Sequence, residues 1–419
     1  MSPGGSPPTC RGEDVTETRI PRGTRARLGA VEGDLDVEAN ARIDVDGRLV
    51  VTGRARFEGN AEVDGAFECR ALECDDGTVR VRGDLVVHED IRATDSALEV
   101  GGELQARKVD VDRGLSIAGD ATAQEFEVGG VLDGAGSLTT QRVSVGGRFH
   151  LAGALTASAV EVGGSVDVAT VTIESLEVGG LIRLKGGTVR GAIEVGGRFV
   201  SDEDLTFGSL EVGGVADLRG AATGGSVEVG GMFNVQGPFK FRTLEVGGIG
   251  TIHGPAEGAD VEVGGKLETD GALRLTGRLE AGGSVSVRDE LLGDRLEVGG
   301  KLAAHHAVFA STAEVGGSVA TQTGLKAARL RLGRRTRATG PLVGGSVELD
   351  DRARAEDLYG DHVELGARAE ARRIFARTVR LNERAVADEV TYVESAQIDR
   401  SAEVRSPPRK VAALPPFPL

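Results

Sequence analysis

The stretch Val160-Glu161-Val162-Gly163-Gly164-Ser165-Val166-Asp167-Val168 contains two short runs in which apolar and polar residues alternate. Alternation with a period of two puts successive side chains on opposite faces of a β-strand, so the valines are predicted to face a core and Glu161 to face water. The Gly163-Gly164 pair between the runs predicts a tight corner, which we expect to need the positive φ that glycine adopts without strain.

This pattern repeats along most of the chain. The apolar residues that open a Glu-Val-Gly-Gly copy are Leu98, Phe126, Val160, Leu176, Ile193, Leu210, Val227, Leu244, Val261, Leu296 and Ala313. Variant copies fill the gaps, and from Phe126 to Val379 successive copies follow one another at a nearly constant interval of ~17 residues. This period is typical of one coil of a β-solenoid. We predict an all-β fold, a single long three-sided β-solenoid of about 20 coils of ~17 residues.

The repeat also divides the chain into five predicted segments. Residues 1–20 are polar and rich in Pro and Gly and should form a disordered tail. Residues 21–125 are irregular coils, and the step from Leu98 to Phe126 is longer than one coil, which leaves the register there open. Regular coils occupy 126–325, basic coils 326–405, and a Pro-rich tail 406–419, which should end the solenoid because Pro lacks a ladder donor.

Composition excludes several classes of protein. The net charge of −16 disfavours broad binding to nucleic acid. Three cysteines are too few for a disulfide framework and indicate a reducing compartment, so we predict a cytoplasmic protein. We find no signal-peptide pattern and no apolar run long enough to span a membrane. The repeated coils contain no concentrated set of non-repeating polar residues, so we predict no enzyme activity and no catalytic, cofactor or metal site.

The short repeated coil with Val-Gly-Gly turns resembles the bactofilins and the wider group of polymer-forming cytoskeletal proteins, over residues 30 to 405. The resemblance implies a right-handed β-helix whose coils stack end to end between subunits, giving filaments that act as scaffolds near membranes. This chain has many more coils than a compact bactofilin core. Its first residues lack the short hydrophobic-basic segment with which some members touch a membrane, so membrane association stays open.

One candidate surface is a column of outward glutamates, one from each regular coil. Its members are Glu161, Glu177, Glu194, Glu211, Glu228, Glu245 and Glu262. The column could bind cations or a basic partner, or it could be a solvated face that stops the sheet from sticking sideways.

The second candidate surface is the basic C-terminal part. Residues 326–419 hold 18 Lys and Arg against 14 Asp and Glu, and Arg372 and Arg373 are adjacent there. This part could meet an acidic partner protein or the acidic body of another subunit, or it could be a solvated cap. Phe417 belongs to the tail, which could cover the last coil or dock into a partner.

We therefore predict a structural scaffold that polymerises with itself through the coil ends, since an uncovered terminal coil displays free N–H and C=O groups. The alternative is a monomeric β-solenoid that presents its acidic face and basic end to a partner protein. An enzyme built on a solenoid groove ranks third.

Overall fold

The computed structural model describes residues 17–416, and no helix occurs in that part of the chain. The prediction of an all-β parallel solenoid is confirmed, with about 23 coils in place of about 20. The chain comprises two compact units, residues 1–173 and residues 174–419, which are described in turn.

The first unit contains strands that pair in parallel throughout. Its strands, the last of which runs past residue 173, are β1 Glu17–Ile20, β2 Arg25–Val31, β3 Asp34–Val37, β4 Ala41–Glu58, β5 Ala61–Val81, β6 Leu85–Val87, β7 Asp90–Val100, β8 Leu104–Gln105, β9 Lys108–Val111, β10 Gly114–Ile117, β11 Ala121–Thr122, β12 Glu125–Val128, β13 Val131–Gly134, β14 Leu138–Thr139, β15 Arg142–Val145, β16 Arg148–Val162 and β17 Ser165–Val178.

The second unit repeats the same parallel pairing. Its strands are β18 Leu181–Val195, β19 Arg198–Ser201, β20 Leu205–Val212, β21 Val215–Leu218, β22 Ala222–Val229, β23 Met232–Val235, β24 Phe239–Lys240, β25 Thr243–Val246, β26 Ile249–Ile252, β27 Ala256–Gly258, β28 Asp260–Val263, β29 Lys266–Thr269, β30 Leu273–Leu275, β31 Arg278–Ala281, β32 Ser284–Val298, β33 Lys301–Val315, β34 Ser318–Leu332, β35 Arg337–Thr339, β36 Leu342–Leu349, β37 Arg354–Leu365, β38 Glu370–Leu381, β39 Val386–Ile398, β40 Glu403–Val404 and β41 Arg409–Lys410.

Each regular coil supplies one strand to each of three faces. In the first unit, face A aligns Leu115 with Leu132, face B aligns Ala121 with Leu138, and face C aligns Phe126 with Val143. Each coil of the second unit has the same order of faces. The strand that follows a Gly-Gly corner is face A, and the strand that ends at the next Gly-Gly corner is face C, where Leu210 pairs with Val227. Neighbouring strands lie ~4.8 Å apart, which sets the rise of one coil.

The core lies between the faces and is filled by the inward residue of each alternating pair. Leu210 and Val212 are each 1% exposed, whereas Glu211 between them is exposed. Aliphatic residues dominate the core, and phenylalanines supply its bulkiest side chains. Eight of the 12 phenylalanines are among the largest fully buried side chains.

The register between Leu98 and Phe126 is now determined. Leu98 pairs with Leu115 on face A, while Phe126 pairs with Val109 on face C. The long step between them is therefore one full coil, from Leu98 to Leu115, plus the part of the next coil that leads from face A to face C. The first Glu-Val-Gly-Gly copy stands on a different face from the later ones, and Glu99 is not part of their column.

The Gly-Gly corners do not use positive φ, so that expectation was wrong. Among the described residues, the positive-φ glycines are Gly23, Gly33, Gly47, Gly59, Gly187, Gly324 and Gly340. None of them belongs to a Glu-Val-Gly-Gly copy, since Gly187 is part of the separate pair Gly186-Gly187. Glycine is required by close stacking instead. A Cβ on Gly213 would lie 2.6 Å from the carbonyl oxygen of Gly196 one coil earlier, and a Cβ on Gly214 would lie 2.4 Å from that of Gly197.

Both predicted tails contain strand structure. Residues 17–20 form β1, which pairs with Asp34–Val37. Arg409–Lys410 forms β41, which pairs with Thr391 and Tyr392, so residues after Pro408 still add to the ladder. Proline therefore interrupts the ladder without ending it, because the two following residues keep their donors. The other residues of 1–20 lie outside the described part of the chain.

Candidate interaction surfaces

The predicted glutamates form a continuous column on face C of the second unit. Glu194 pairs in register with Glu211, and the alignment continues through Glu228, Glu245 and Glu262. All five side chains are exposed. Glu177 is also exposed and lies on β17 in this unit. Glu161 belongs to the first unit, where its register partner one coil earlier is Ser144.

Four of these glutamates, consecutive in register on face C, form no ion pair, and among the described residues Glu161 and Glu177 form none either. The outward residues that precede them on face C are Ala192, Ser209, Ser226 and Thr243. Within the described residues, Glu194, Glu211, Glu228 and Glu245 form no ion pair. The next member of the column differs, since Glu262 lies 3.8 Å from the guanidinium of Arg278. We call these four residues the glutamate column.

Outward acids elsewhere are commonly neutralised across coils. In the first unit Arg48 binds Glu68 at 2.9 Å, and Arg70 binds Glu89 at 2.9 Å. Like charges ~5 Å apart in water repel by about 1 kcal/mol, and salt reduces this. The glutamate column therefore holds repulsion that an external cation or a basic partner would relieve.

A second column, which the sequence analysis missed, occupies the corner after face C in the C-terminal coils. Arg335, Arg352, Arg368 and Arg384 have φ values of 59, 60, 58 and 56°, in the left-handed region. We call these four residues the arginine column. Each residue stacks on the next coil, as the Arg335 amide donates to the Asp351 carbonyl at 3.0 Å and the Arg352 amide to the Ala367 carbonyl at 2.9 Å.

The left-handed conformation costs a residue with a Cβ roughly 1–2 kcal/mol, so glycine and asparagine normally occupy it. Matching corners of the first unit follow that rule with Gly23 at φ 67° and Asn40 at φ 61°. Both donate to the next coil in the same way, to the carbonyls of Ala39 and Asn60. The backbone of the C-terminal corners therefore does not account for arginine.

The arginine column is exposed and largely free of ion pairs. Among the described residues, Arg335, Arg352 and Arg368 form no salt bridge, and Arg384 has one at 3.6 Å to the adjacent Glu383. Arg335, Arg352 and Arg368 border an open groove of about 540 Å³, which Asp351 and Glu383 also line. The signal in the sequence was the recurrence of Arg followed by Thr or Ala at these four positions, although the same step also occurs at Arg337, Arg354 and Arg377.

The predicted pair Arg372 and Arg373 is engaged within the fold. Both guanidinium groups donate to the carboxylate of Asp357, Arg372 at 3.0 Å and Arg373 at 2.5 Å. Asp357 is 7% exposed. Burial by itself would raise the pKa of Asp357, but the hydrogen bonds from Arg373 and Arg372 outweigh burial and lower that pKa. These two arginines stabilise their own coils, whereas the arginine column points to water.

The remaining predicted feature is Phe417, which lies outside the described residues. Within residues 17–416, no group of three or more His, Cys, Asp or Glu side chains is arranged to hold a metal ion. The same residues contain no helix long and apolar enough to cross a membrane.

No protein-family model, curated protein or solved structure matches this chain. The bactofilin resemblance therefore remains one of repeat pattern.

Proposed function

We propose that this protein is a structural scaffold that assembles with itself through the ends of its β-solenoid, as the resemblance to bactofilins implies. The observation that carries the proposal is the last strand of face C, which no later strand within residues 17–416 covers. The final strand of face C ends at Ile398, which is 37% exposed, although the residue one coil earlier at the same position, Leu381, is 1% exposed.

The backbone of that strand is also available. Ser395–Ile398 pairs with Thr378–Leu381 on one side, and no described strand pairs with its other side. An open parallel edge beside an apolar side chain accepts another strand, which would both complete the ladder and bury Ile398. Within the described part of the chain, the first coil offers the complementary end, where Ala26 and Leu28 are partly exposed.

The test is assembly of the purified full chain, followed by electron microscopy and sedimentation velocity over a range of concentrations. Ile398→Asp places a charge at the exposed edge and should abolish assembly. Val131→Asp is the matched control, because Val131 is 45% exposed on an outward position of a middle coil. We expect the control to assemble as the wild type does. Wild-type chains that stay single at all concentrations would refute the proposal, as would unchanged assembly of Ile398→Asp.

A specific observation also favours the second candidate, a monomeric scaffold that binds a partner protein. The glutamate column is accessible and unpaired, so a basic partner could bind it without any rearrangement. Capture of a partner by the wild type, lost on Glu211→Gln/Glu228→Gln while the chain stays single by sedimentation, would support this function.

A further inference from the structure

The two charged columns share one geometry because both follow the stacking of parallel coils. Each column presents one charge per coil, which corresponds to a spacing of ~4.8 Å along the stack. Both lie along the same edge of the second unit, the glutamates on face C and the arginines at the corner that follows face C.

The two columns are too far apart to form ion pairs with each other within one chain. Glu245 and Arg335 are separated by five coils, which corresponds to roughly 24 Å and exceeds the reach of the two side chains. Each column is thus left with its charge facing water. An arginine at a left-handed corner and a glutamate without a cation are both explained if the partner lies outside the chain.

We propose that the arginine column binds the glutamate column of a second copy of this chain, coil against coil. Two copies lying side by side in opposite directions would form both contacts at once, since each copy brings one column of each sign. This is the arrangement of a two-fold symmetric dimer. The contact is lateral and is independent of assembly through the coil ends.

Matched spacing is what makes the second copy the favoured partner. A single exposed ion pair contributes little, so a stable contact needs several pairs formed together without distorting either side. A second solenoid supplies carboxylates already held at the interval of the arginines. The association should weaken steeply with salt, because all of the charges are near the surface.

The experiment uses the full chain carrying Ile398→Asp, so that end-to-end assembly does not obscure a lateral dimer. Sedimentation velocity at low salt should show a dimer that dissociates in 1 M salt, where the Debye length falls to about 3 Å. Adding Arg352→Glu/Arg368→Glu should raise the dissociation constant of the dimer roughly tenfold or more, since attraction becomes repulsion at two coils of each contact. The matched control is Arg142→Glu/Arg148→Glu, which changes the net charge equally at exposed arginines of the first unit.

A charge swap gives the decisive result. Glu211→Arg/Glu228→Arg should also lose the dimer, and an equimolar mixture with Arg352→Glu/Arg368→Glu should restore it as a heterodimer. A monomer at low salt, equal dimerisation of the arginine variant and its control, or failure of the mixture to associate would each overturn the proposal. Binding of heparin through the arginine column without any self-association would overturn it in favour of an external polyanion. End-to-end filaments are assayed separately with the chain that keeps Ile398, so that either proposal can fail without the other.

Discussion

The ring of Phe207 lies against Gly224, its register partner one coil later on face B, so closely that a Cβ on the glycine would lie 2.1 Å from Cε2 of the ring. Phe241 lies against Gly258 in the same way, with a corresponding distance of 2.2 Å. Large and small residues thus alternate between successive coils, and the phenylalanine uses space that its neighbour leaves empty.

Gly224→Ala should lower the free energy of unfolding by about 1–3 kcal/mol, because the new methyl group displaces a buried ring. Urea unfolding measures the loss. The double variant Phe207→Leu/Gly224→Ala should lose less stability than the two single variants lose in sum, since the shorter side chain removes the collision. The control is Gly114→Ala, where the nearest atom to a Cβ lies at 3.4 Å. Strict additivity would contradict the packing described.

Gly214→Ala tests the stacked corner, where the obstacle is backbone and not a side chain. A Cβ would collide with the Gly197 carbonyl, which accepts a 3.1 Å hydrogen bond from the Val215 amide. We expect a loss of about 2 kcal/mol in urea unfolding, whereas alanine at an unstrained glycine is usually neutral or stabilising. Gly29→Ala is the control, because no atom lies within 4 Å of its Cβ position. Equal behaviour of the two variants would show that the corners tolerate side chains.

Arg368→Gly should stabilise the isolated chain by about 0.5 to 1 kcal/mol, because relief of the left-handed strain exceeds the entropy that glycine adds to the unfolded state. Thermal unfolding at high salt measures the effect without the lateral contact. Arg354→Gly should instead destabilise the chain, because Arg354 lies on β37, is not a positive-φ residue, and binds Glu370 at 2.9 Å. A loss of stability in Arg368→Gly would show that its side chain stabilises its own corner.

Asp357→Asn should destabilise the protein at pH 7 by about 2 kcal/mol, the usual contribution of hydrogen bonds to a charged group. The folded-state pKa of Asp357 is lowered, so its stabilisation is complete above the unfolded pKa near 3.8 and is lost as the pH falls through the folded pKa. The difference between wild type and variant in urea unfolding should therefore shrink below about pH 4. Asp361→Asn is the control, because its side chain is 69% exposed and lies 3.5 Å from Arg377. A difference that persists at low pH would contradict the ion-pair explanation.

Cys69 and Cys74 should resist thiol reagents in the folded protein. Both are free and fully buried, and burial raises the pKa of Cys69 to about 12 and raises that of Cys74 as well. In a Cys10→Ser background, labelling with a chromogenic disulfide at pH 8 should follow unfolding and not precede it. Labelling in the absence of denaturant at the rate of a free thiol would show that these coils open readily.

The amino-acid sequence by itself determined the all-β class and the coil length. Alternation such as Val160-Glu161-Val162 needs only local chemistry, because each strand must bury one side and solvate the other. The length of a coil then follows from counting along the chain between equivalent strands. What the pattern does not contain is the identity of the face, since all three faces use the same alternation. Leu98 and Phe126 open the same motif and yet belong to faces A and C.

Only the tertiary structure decided which charges are free. Arg372 and Arg373 are adjacent in the chain, but their partner Asp357 is one coil earlier, and that register brings it within hydrogen-bond distance. The four corner arginines form one column because the C-terminal coils, which differ slightly in length, stack in register and give all four the same left-handed corner. The Gly-Gly corners show the same dependence, because the carbonyl that excludes a side chain belongs to the preceding coil. Local pattern sets how each strand folds, and contacts between coils set what its side chains can bind.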